Sequence, residues 1–550
     1  MKFLTKYRDS ILLILLFGIG LFLRVYNLNW DSGLLFHPDE RNIADAVTKI
    51  HFFSELNPQF FAYGGFSIYL YRAAADLFVF LTKNTVWVTD WGHINVIGRF
   101  FSAIFASITI FPIFFLAKKI FDKKTAFLSA ILYVFTVTSI QNAHFATVES
   151  AITFFGVLLC LVSLNWFEKS TILKTILLGI IFGISVATKT STFLTILFPA
   201  VALLLIILEK RKSPKKLLLL IPHIIIFFAV TTLFAFVFSP YSILDFKDFY
   251  ASMQYESGVA TGSLPVVYTL QFNGSIPYLF QIENFVWQLG PLLTIFCVTG
   301  FLFVMLERFR KKEKNRFIFW IYPLIYFLYV GSWHTKFLRY MVPIIPFFII
   351  AASYFLLIIK KRFNKIGITL IFLTTLTTLL WAFAFFSIYT REQTRIAASI
   401  WIYQHIPSQT VTLGEAWDDG LPVPLGNFSP TMYNEQTLNM YAADNSQKIP
   451  YLATNLSHAQ YLFINSKRIY ATLLRLTTLF PITSRYYQLL FAGKLGYKQV
   501  ATFTSYPQLF GVQINDDSAE ETFQVFDHTK IIIFKNTQHY SEEKLEKILK

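Results

Sequence analysis

"EKRKSPKKLLLLIPHIIIFFAVTTLFAFVFS", residues 209–239, joins a dense basic cluster to an apolar run that contains no Asp, Glu, Lys or Arg. Roughly 18 or more mostly apolar residues in a row are enough to cross a bilayer as a helix. The run therefore predicts a membrane-spanning helix. The Lys and Arg residues before it predict a cytoplasmic end, because cytoplasmic loops carry an excess of these residues.

The whole chain has the composition of a membrane protein. Of its 550 residues, 55% are hydrophobic and 15% are charged, whereas about a quarter of the residues of soluble domains are charged. The formal net charge is +16, and basic cytoplasmic loops explain it without a nucleic-acid partner. Cys160 and Cys297 each lie inside an apolar run, so the sequence predicts no disulfide framework and no cysteine metal site.

Apolar runs of this kind recur along the first 390 residues and predict about eleven transmembrane helices. The N-terminal run also fits a signal peptide, but no small-residue cleavage site follows it, which favours an uncleaved first span. The stretch 62–82 carries Arg72 and Asp76 and predicts a juxtamembrane helix in the first long loop. The predicted spans are 10–28, 94–117, 124–143, 148–167, 172–188, 191–208, 217–239, 284–306, 317–331, 338–358 and 366–389.

Six basic clusters test this count. With a cytoplasmic N-terminus and eleven spans, all six fall on one side, whereas a miscount by one would scatter the later clusters over both sides. The chain is thus predicted to be a multi-pass protein of the plasma or inner membrane. The first loop 29–93, the loop 240–283 and the C-terminal residues then lie outside the cytoplasm. The clusters are "MKFLTKYR", "AKKIFDKK", "EKSTILK", "EKRKSPKK", "ERFRKKEKNR" and "KKRFNK".

The composition changes after Arg391. Strand-like runs bounded by turn residues alternate with helical stretches such as "TRIAASIWIYQHI", which is typical of a small α/β domain. The predicted fold class is therefore a polytopic all-α membrane protein over residues 1–390, followed by an extracytoplasmic α/β domain over residues 391–550. The strand-like runs are "TVTLGEA", "AQYLFIN", "YKQVATF" and "KIIIFKN".

Ionisable side chains gather in the predicted outer loops, where charge near a membrane needs a reason. Acids from two loops and bases from two others would converge on one membrane face. An enzyme that handles a membrane-anchored phosphate needs such a set: a carboxylate base for the acceptor and cations for the leaving phosphate. The candidates are Asp39 and Glu40 in "LLFHPDERN", His144 and Glu149 in "NAHFATVES", Lys189 in "ATKTST", and His334, Lys336 and Arg339 in "SWHTKFLRY".

These candidates also have structural interpretations. Pro38 followed by two acids is typical of a helix start, and Glu149 fits an acid in the first turn of a helix. The basic residues fit interface anchors that reach toward lipid headgroups. His37, His144 and His334 have no histidine partner four residues away, so a metal site would have to be assembled across loops.

Six motifs, in order along the chain, resemble landmarks of the GT-C glycosyltransferases. The nearest group is glycosyltransferase family 39, which contains the protein O-mannosyltransferases and bacterial relatives such as the lipid A aminoarabinose transferases. The resemblance covers roughly the first 390 residues. It rests on "FHPDE" at 36–40, "NPQFFAYGGF" at 57–66, "HFATVES" at 144–150, "GISVATKTS" at 183–191, "SPYSILDFKDF" at 239–249 and "KFLRYMVPIIP" at 336–346.

The resemblance implies an inverting transfer of a sugar from a polyprenyl-phosphate donor to an acceptor hydroxyl. It implies that Asp39 is the general base and that Glu40 shapes the site or holds the acceptor. Glu149, with His144 nearby, then binds acceptor, sugar or a metal ion, so a divalent cation is left open and no certain cofactor is expected.

The remaining implied roles concern the two substrates. Lys336 and Arg339, and with less support Lys189, are implied ligands of the donor phosphate. The acceptor is left open among lipid, glycan and protein. The loop 240–283 is too short for the MIR domain that eukaryotic members insert there, which weakens the case for a protein acceptor.

Two functions of other classes remain open. A transporter or flippase of lipid-linked saccharides can use the same charges as a substrate path, although neither repeat symmetry nor mid-span acids are found in the sequence. A non-catalytic protein of cell-envelope glycan assembly would work through its C-terminal α/β domain.

Overall fold

The structure is a computed structural model, which describes residues 2–311 and 314–550, with side chains described for residues 7–307 and 316–550. The chain divides into two compact units close to the boundary predicted at residue 390. Two short segments of the N-terminal part belong to the second unit. The first unit comprises Met1–Asn29, His37–Leu264 and Ser275–Phe386, and the second comprises Trp30–Phe36, Pro265–Gly274 and Ser387–Lys550.

Helices dominate the first unit, and a helix lies in each of the eleven predicted span regions. Its α-helices are Lys2–Val25, Pro38–Lys49, Gly65–Thr82, Val86–Thr89, Trp91–Ile108, Ile110–Ile120, Lys123–Val134, Val137–Ala143, Glu149–Glu168, Ile172–Thr188, Leu197–Lys210, Pro214–Leu218, Ile221–Phe238, Tyr241–Leu244, Phe246–Thr261, Leu279–Leu289, Pro291–Lys311, Lys314–Gly331, Ile345–Arg362 and Asn364–Phe386, with 3-10 turns at Thr190–Ile196 and Leu338–Ile344.

The number of helices that can span a membrane is smaller than eleven by length and composition. Among the described residues, 6 helices are long and apolar enough, or up to 7 if one bent pair counts as a span. Three shorter apolar helices lie at Ile172–Thr188, Pro291–Glu307 and Arg316–Gly331. A polytopic membrane protein is thereby confirmed, while the count of eleven remains a prediction.

Two predicted spans are interrupted in the structure. The span predicted at 284–306 breaks after Leu289, because Gly290 has a φ of 86° and Pro291 then starts a new helix. The span predicted at 124–143 consists of two helices that meet at 53°. Apolarity alone predicted both regions but could not locate these breaks.

The quoted stretch contains the least buried of the six candidate spans found among the described residues. Only 11% of the most apolar window in Pro214–Phe238 is buried inside the protein. A helix that is apolar all round but hardly buried by protein needs a hydrocarbon environment.

The basic cluster "ERFRKKEKNR" includes Lys312 and Glu313, which lie outside the described residues.

We expect a cytoplasmic N-terminus and an extracytoplasmic C-terminus, since this orientation places all six basic clusters on the cytoplasmic side. Reporter fusions after Lys365 and after Arg391 should then report opposite sides of the membrane. A fusion before Met1 that reports the outer side would contradict the orientation.

Helices of the first loop pack in a buried cluster that also contains Ile94, Ile97 and Val148. The helix Pro38–Lys49 turns Ile43, Ala44 and Val47 into this cluster, where they meet Ile68 and Tyr71 of the helix Gly65–Thr82. Apolar residues at positions i, i+1 and i+4 lie on one face of a helix. This packing fixes the N-terminal end of Pro38–Lys49, which carries Asp39 and Glu40.

The second unit contains a mixed five-stranded sheet. Its strands lie in the order β2-β1-β3-β7-β4, with β1 parallel to β2 and β3, and β7 antiparallel to β3 and β4. Four of these strands fall within the four predicted runs. The strands are β1 Val411–Glu415, β2 Asn434–Leu438, β3 Tyr461–Ile464, β4 Tyr497–Phe503 and β7 Ile531–Asn536, and a separate hairpin joins β5 Gln508–Leu509 to β6 Val512–Gln513.

Helices cover this sheet and complete its core. The apolar side chains of β1 and β3, such as Leu413 and Leu462, pack in one cluster with Leu456, Tyr486 and Tyr487 from two of the helices. The extracytoplasmic location of the unit remains a prediction. Its α-helices are Thr394–His405, Lys448–His458, Tyr470–Leu473, Pro481–Phe491, Glu521–Gln524 and Glu542–Leu549.

Candidate functional site

The start of the helix Pro38–Lys49 holds Asp39 in place. Pro38 is the first helical residue, as the sequence predicted, and the Nδ1 atom of His37 accepts a hydrogen bond of 3.2 Å from the Asp39 amide. Burial lowers the pKa of His37, against the opposing charges of Asp39 and Glu40. The lowered pKa favours the neutral ring, whose Nδ1 atom can accept this bond.

Asp39 is paired with a cation and a phenol. Arg339 Nη1 lies 2.7 Å from Asp39 Oδ2, and the Tyr63 hydroxyl donates a hydrogen bond of 2.8 Å to the same oxygen. Burial raises the pKa of Asp39, but Arg339, His37 and the Tyr63 hydrogen bond outweigh it, so that the pKa is lowered. The sequence placed Asp39 and Arg339 on one membrane face, and the structure brings them into direct contact.

A second ion pair stands beside the first. Lys189 Nζ lies 3.1 Å from Glu149 Oε1 and 5.0 Å from the centre of the Tyr63 ring. Lys189 follows the helix Ile172–Thr188, and Glu149 begins the helix Glu149–Glu168. The two carboxylates and two cations thus form a compact set around Tyr63, drawn from four separate segments of the first unit.

The approach of Tyr63 to Lys189 depends on the absence of a side chain at Gly64. The Gly64 amide donates a hydrogen bond of 3.0 Å to the Thr188 carbonyl. A Cβ atom at Gly64 would lie 2.0 Å from the Ala187 carbonyl oxygen, which no packing tolerates. Glycine in "NPQFFAYGGF" is therefore required for this close backbone contact.

Two polar atoms of the set are buried without partners. Glu149 Oε2 and Arg339 Nε each lack a hydrogen-bond partner among the described residues. Buried polar groups are nearly always satisfied, so exceptions call for a ligand, water or ion. The set therefore offers one unused acceptor and one unused donor next to its two ion pairs.

Both carboxylate oxygens of Glu40 are engaged by other residues of the protein. Its Oε1 atom accepts hydrogen bonds from Arg99 Nε at 2.8 Å and from the Ala146 amide at 2.6 Å, and its Oε2 atom lies 2.6 Å from Arg99 Nη2. The side chain is fully buried. Of the two implied roles, these contacts fit the shaping of the site. Both oxygens of Glu40 already have partners, so neither is available to bind the acceptor substrate.

Lys336 stands apart from these ion pairs. Its ammonium donates a hydrogen bond of 2.8 Å to the His334 carbonyl, and burial lowers its pKa. The helical turn begins only at Leu338. Lys336 and Arg339 therefore do not share the face of one helix, and the Lys336 ammonium is engaged by the His334 carbonyl.

The residues near Glu149 do not suit a resident metal ion. His144 is fully buried, and its Nδ1 and Nε2 atoms lie 2.8 and 2.9 Å from the carbonyl oxygens of Ile140 and Tyr26. Asp39 and Glu149 already face cations. Within the part of the chain that the structure describes, no group of three or more His, Cys, Asp or Glu side chains could hold a metal ion.

Sequence reasoning did not single out Tyr63 as a site residue, and it considered His37 only as a possible metal ligand. Both lie in stretches that were read for other residues, His37 just before Asp39 and Tyr63 within "NPQFFAYGGF". The signal for Tyr63 was a polar aromatic beside a Gly-Gly pair, which indicates a close backbone approach.

Comparisons with known proteins agree with this architecture. The sequence-family model described as dolichyl-phosphate-mannose-protein mannosyltransferase matches residues 91–241. No curated protein matches the sequence. The chain is similar to a solved structure of the oligosaccharyltransferase AglB from Archaeoglobus fulgidus in complex with an inhibitory peptide and a dolichol-phosphate. The two chains are 14% identical, with a TM-score of 0.56, and the match covers 93% of this chain and 75% of that chain.

Two further solved structures are similar. The Archaeoglobus fulgidus oligosaccharyltransferase in complex with zinc and sulfate has 14% identity, 92% and 72% coverage and a TM-score of 0.53. ArnT from Cupriavidus metallidurans bound to undecaprenyl phosphate has 11% identity, 97% and 99% coverage and a TM-score of 0.49. The family match over residues 91–241 and the fold shared with the oligosaccharyltransferase together support a membrane glycosyltransferase of the GT-C type.

Proposed function

We propose that the protein transfers a sugar, with a hexose such as mannose as the first candidate, from a polyprenyl-phosphate donor to an acceptor hydroxyl outside the cytoplasm. The observation that carries this proposal is the contact between Asp39 and Arg339. It joins a carboxylate suited to the acceptor and a guanidinium suited to a phosphate in one site. The match to a mannosyltransferase family and the dolichol-phosphate held by a protein of similar fold support the proposal.

The reaction is a single displacement. The acceptor oxygen attacks the anomeric carbon on the face opposite the phosphate, the bond from that carbon to the phosphate oxygen breaks, and the configuration inverts. Asp39 takes the acceptor proton, and the polyprenyl phosphate leaves as an anion. Arg339 stabilises the charge that develops on the leaving oxygen, which favours the transition state over the ground state.

Arg339 can contact the base and the donor phosphate at the same time, because different nitrogen atoms of its guanidinium are available to each. Its Nη1 atom holds Asp39, while its Nε atom is buried without a partner among the described residues and can donate to a phosphate oxygen. The negative charge of a bound phosphate also offsets the positive charge of Arg339, which lowers the pKa of Asp39. Donor binding therefore raises the basicity of Asp39 when the acceptor needs it.

The other pair supports the sugar. Lys189 holds one oxygen of Glu149, and the second oxygen remains available as a hydrogen-bond acceptor for a sugar or acceptor hydroxyl. The ion pair between Glu40 and Arg99 anchors the first turn of the helix Pro38–Lys49, which carries Asp39. No step is assigned to a metal ion, because the carboxylates are neutralised by cations.

The proposal is tested with the purified full chain in lipid nanodiscs. The protein is incubated with labelled polyprenyl-phosphate hexoses and a membrane extract, and the labelled product is identified. We expect a glycosylated product and release of polyprenyl phosphate. Movement of the labelled lipid across a vesicle membrane without any transfer would contradict the proposal and indicate a flippase.

Replacement of Tyr63 by Phe is expected to move the acid limb of the pH–rate profile to higher pH. The Tyr63 hydrogen bond helps to lower the pKa of Asp39, so its loss raises that pKa, and Asp39 becomes protonated earlier as the pH falls. Near neutral pH the loss of rate should stay within about tenfold, since Asp39 is ionised in both forms.

Tyr69→Phe is the control for this variant, because the Tyr69 hydroxyl donates to the Leu56 carbonyl and not to Asp39. An acid limb that stays at the same pH in Tyr63→Phe would remove Asp39 as the group that titrates.

A further inference from the structure

A helix of the loop 240–283 lies against three segments of the site. This loop helix, Phe246–Thr261, places the Phe249 ring 6.2 Å from the Phe61 ring, and the Thr190 hydroxyl donates to the Met253 sulfur at 3.3 Å. The Thr335 amide donates to the Ala260 carbonyl at 3.1 Å. Phe61, Thr190 and Thr335 precede or follow Tyr63, Lys189 and Arg339 by at most four residues.

Glu256 lies on the same face of the loop helix as these contact residues. Positions 249, 253, 256 and 260 are separated by four, three and four residues, a spacing that keeps side chains on one face of an α-helix. The face that carries Phe249, Met253 and Ala260 is turned toward the site segments. The spacing therefore directs the Glu256 carboxylate toward the site as well.

The electrostatic surroundings of Glu256 agree with this direction. Burial raises its pKa, Lys189 and Arg339 lower it, and the charge of Asp39 raises it further. These are three of the four charged groups of the site. Glu256 is thus partly desolvated and shares the electrostatic environment of the ion pairs, while part of its surface stays accessible to solvent.

Glu256 has no fixed partner of its own. Asp39 and Glu149 each pair with a cation, whereas among the described residues no hydrogen bond or ion pair engages the carboxylate of Glu256. A carboxylate that faces a site without a partner is an available hydrogen-bond acceptor. It would repel the donor phosphate, so a substrate rich in hydrogen-bond donors suits it better.

We propose that Glu256 binds the acceptor, by accepting a hydrogen bond from a hydroxyl group other than the one that reacts at Asp39. The acceptor is then a polyhydroxylated molecule, a saccharide or polyol, and not a side chain with a single hydroxyl. This inference rests on the proposed function. It assigns to the loop helix the aqueous side of the site, opposite the lipid-linked donor.

The test compares two soluble probes as acceptors for the wild type and for Glu256→Ala: methyl glucoside and a peptide with one threonine. Loss of a hydrogen bond to a charged group should raise the KM for methyl glucoside by about 10- to 100-fold, with kcat nearly unchanged. Glu256→Gln should recover part of the loss, because its amide oxygen still accepts a hydrogen bond. Undecaprenyl phosphate should bind no more weakly to either variant.

Asp248→Asn is the matched control, since Asp248 is an exposed acid of the same helix that lies off the contact face, and its kinetics should equal those of the wild type. An unchanged KM for methyl glucoside in Glu256→Ala would overturn the inference. Wild-type transfer to the threonine peptide alone would also overturn it, with the proposed function intact. Transfer to neither probe from any polyprenyl-phosphate hexose would overturn both.

Discussion

Sugar transfer should fall by about 10²–10⁴-fold when Asp39 is replaced by Asn, the usual loss when a general base is removed. Asparagine keeps the shape of the side chain and can still accept the Tyr63 hydrogen bond, but it cannot take the acceptor proton. The rate is measured with the labelled polyprenyl-phosphate donor that the wild type uses. The residual activity should also lack the acid limb that protonation of Asp39 gives the wild type.

The sign of that limb follows from the contacts of Asp39. Its pKa is lowered by Arg339, His37 and Tyr63 against the effect of burial, so the ionised form persists to lower pH than in an isolated side chain. Activity is therefore retained below the ordinary pKa of an aspartate and lost as the pH falls through the lowered value.

A structural role for Asp39 makes a different prediction. If Asp39 served only as a helix-start acid, Asp39→Asn would insert normally and keep near wild-type transfer. Asp45→Asn is the matched control, because Asp45 lies on the same helix and pairs with Lys49 at 2.7 Å near the surface. A rate loss of similar size in the control would indicate damage to the helix and not to the base.

The helix that carries Asp39 could be read from the sequence because its signals are local. His-Pro-Asp-Glu followed by helically spaced apolar residues predicts a helix start, and the helix begins at Pro38. The sequence could not show that Asp39 would pair with Arg339 while Glu40 pairs with Arg99. Arg99 lies 59 residues from Glu40. Arg99 is the only charged residue of the predicted span 94–117, but nothing in the sequence shows that its partner is Glu40 and not Asp39.

The strands of the second unit show the same limit. The predicted runs are rich in apolar or β-branched residues and contain β1, β3, β4 and β7. The strand β2, "NEQTL", was missed because four of its five residues are exposed. A strand at the edge of a sheet needs few apolar side chains, so it leaves no hydrophobic pattern in the sequence.

The cations of "HTKFLRY" separate for a backbone reason. A spacing of three residues brings Lys336 and Arg339 together only on a helix. The structure starts that helical turn at Leu338, after Phe337, whose ψ of 139° is not helical. Arg339 consequently reaches Asp39 while Lys336 turns back to the His334 carbonyl, which makes Arg339 the stronger candidate for the phosphate.

Arg339→Lys should lower the rate of transfer by about 10²-fold, comparable with the loss of one charge-stabilising donor in other enzymes. Lysine keeps the positive charge and the preference for the membrane interface. It loses the planar fork that can hold Asp39 with Nη1 and a phosphate oxygen with Nε at the same time. The variant should insert normally, and undecaprenyl phosphate should bind it more weakly than the wild type.

Arg362→Lys provides the matched control. Arg362 ends the helix that follows Arg339, is exposed, and stacks on the neighbouring Phe363 ring at 5.3 Å. Arg362 is at the end of the helix Ile345–Arg362 that is remote from Arg339. Its replacement should therefore leave both the rate and the binding of undecaprenyl phosphate unchanged.

The contact with Asp39 allows a second explanation, in which Arg339 acts only by orienting the base. A double-mutant cycle separates the two roles. If Arg339 only orients Asp39, then Arg339→Lys in an Asp39→Asn background costs nothing more, and the binding of undecaprenyl phosphate is unaffected by either change. If Arg339 also holds the phosphate, Arg339→Lys weakens this binding in the wild-type background and in the Asp39→Asn background alike. Unchanged binding in both backgrounds would remove Arg339 from the donor site and leave it as a positioning residue for Asp39.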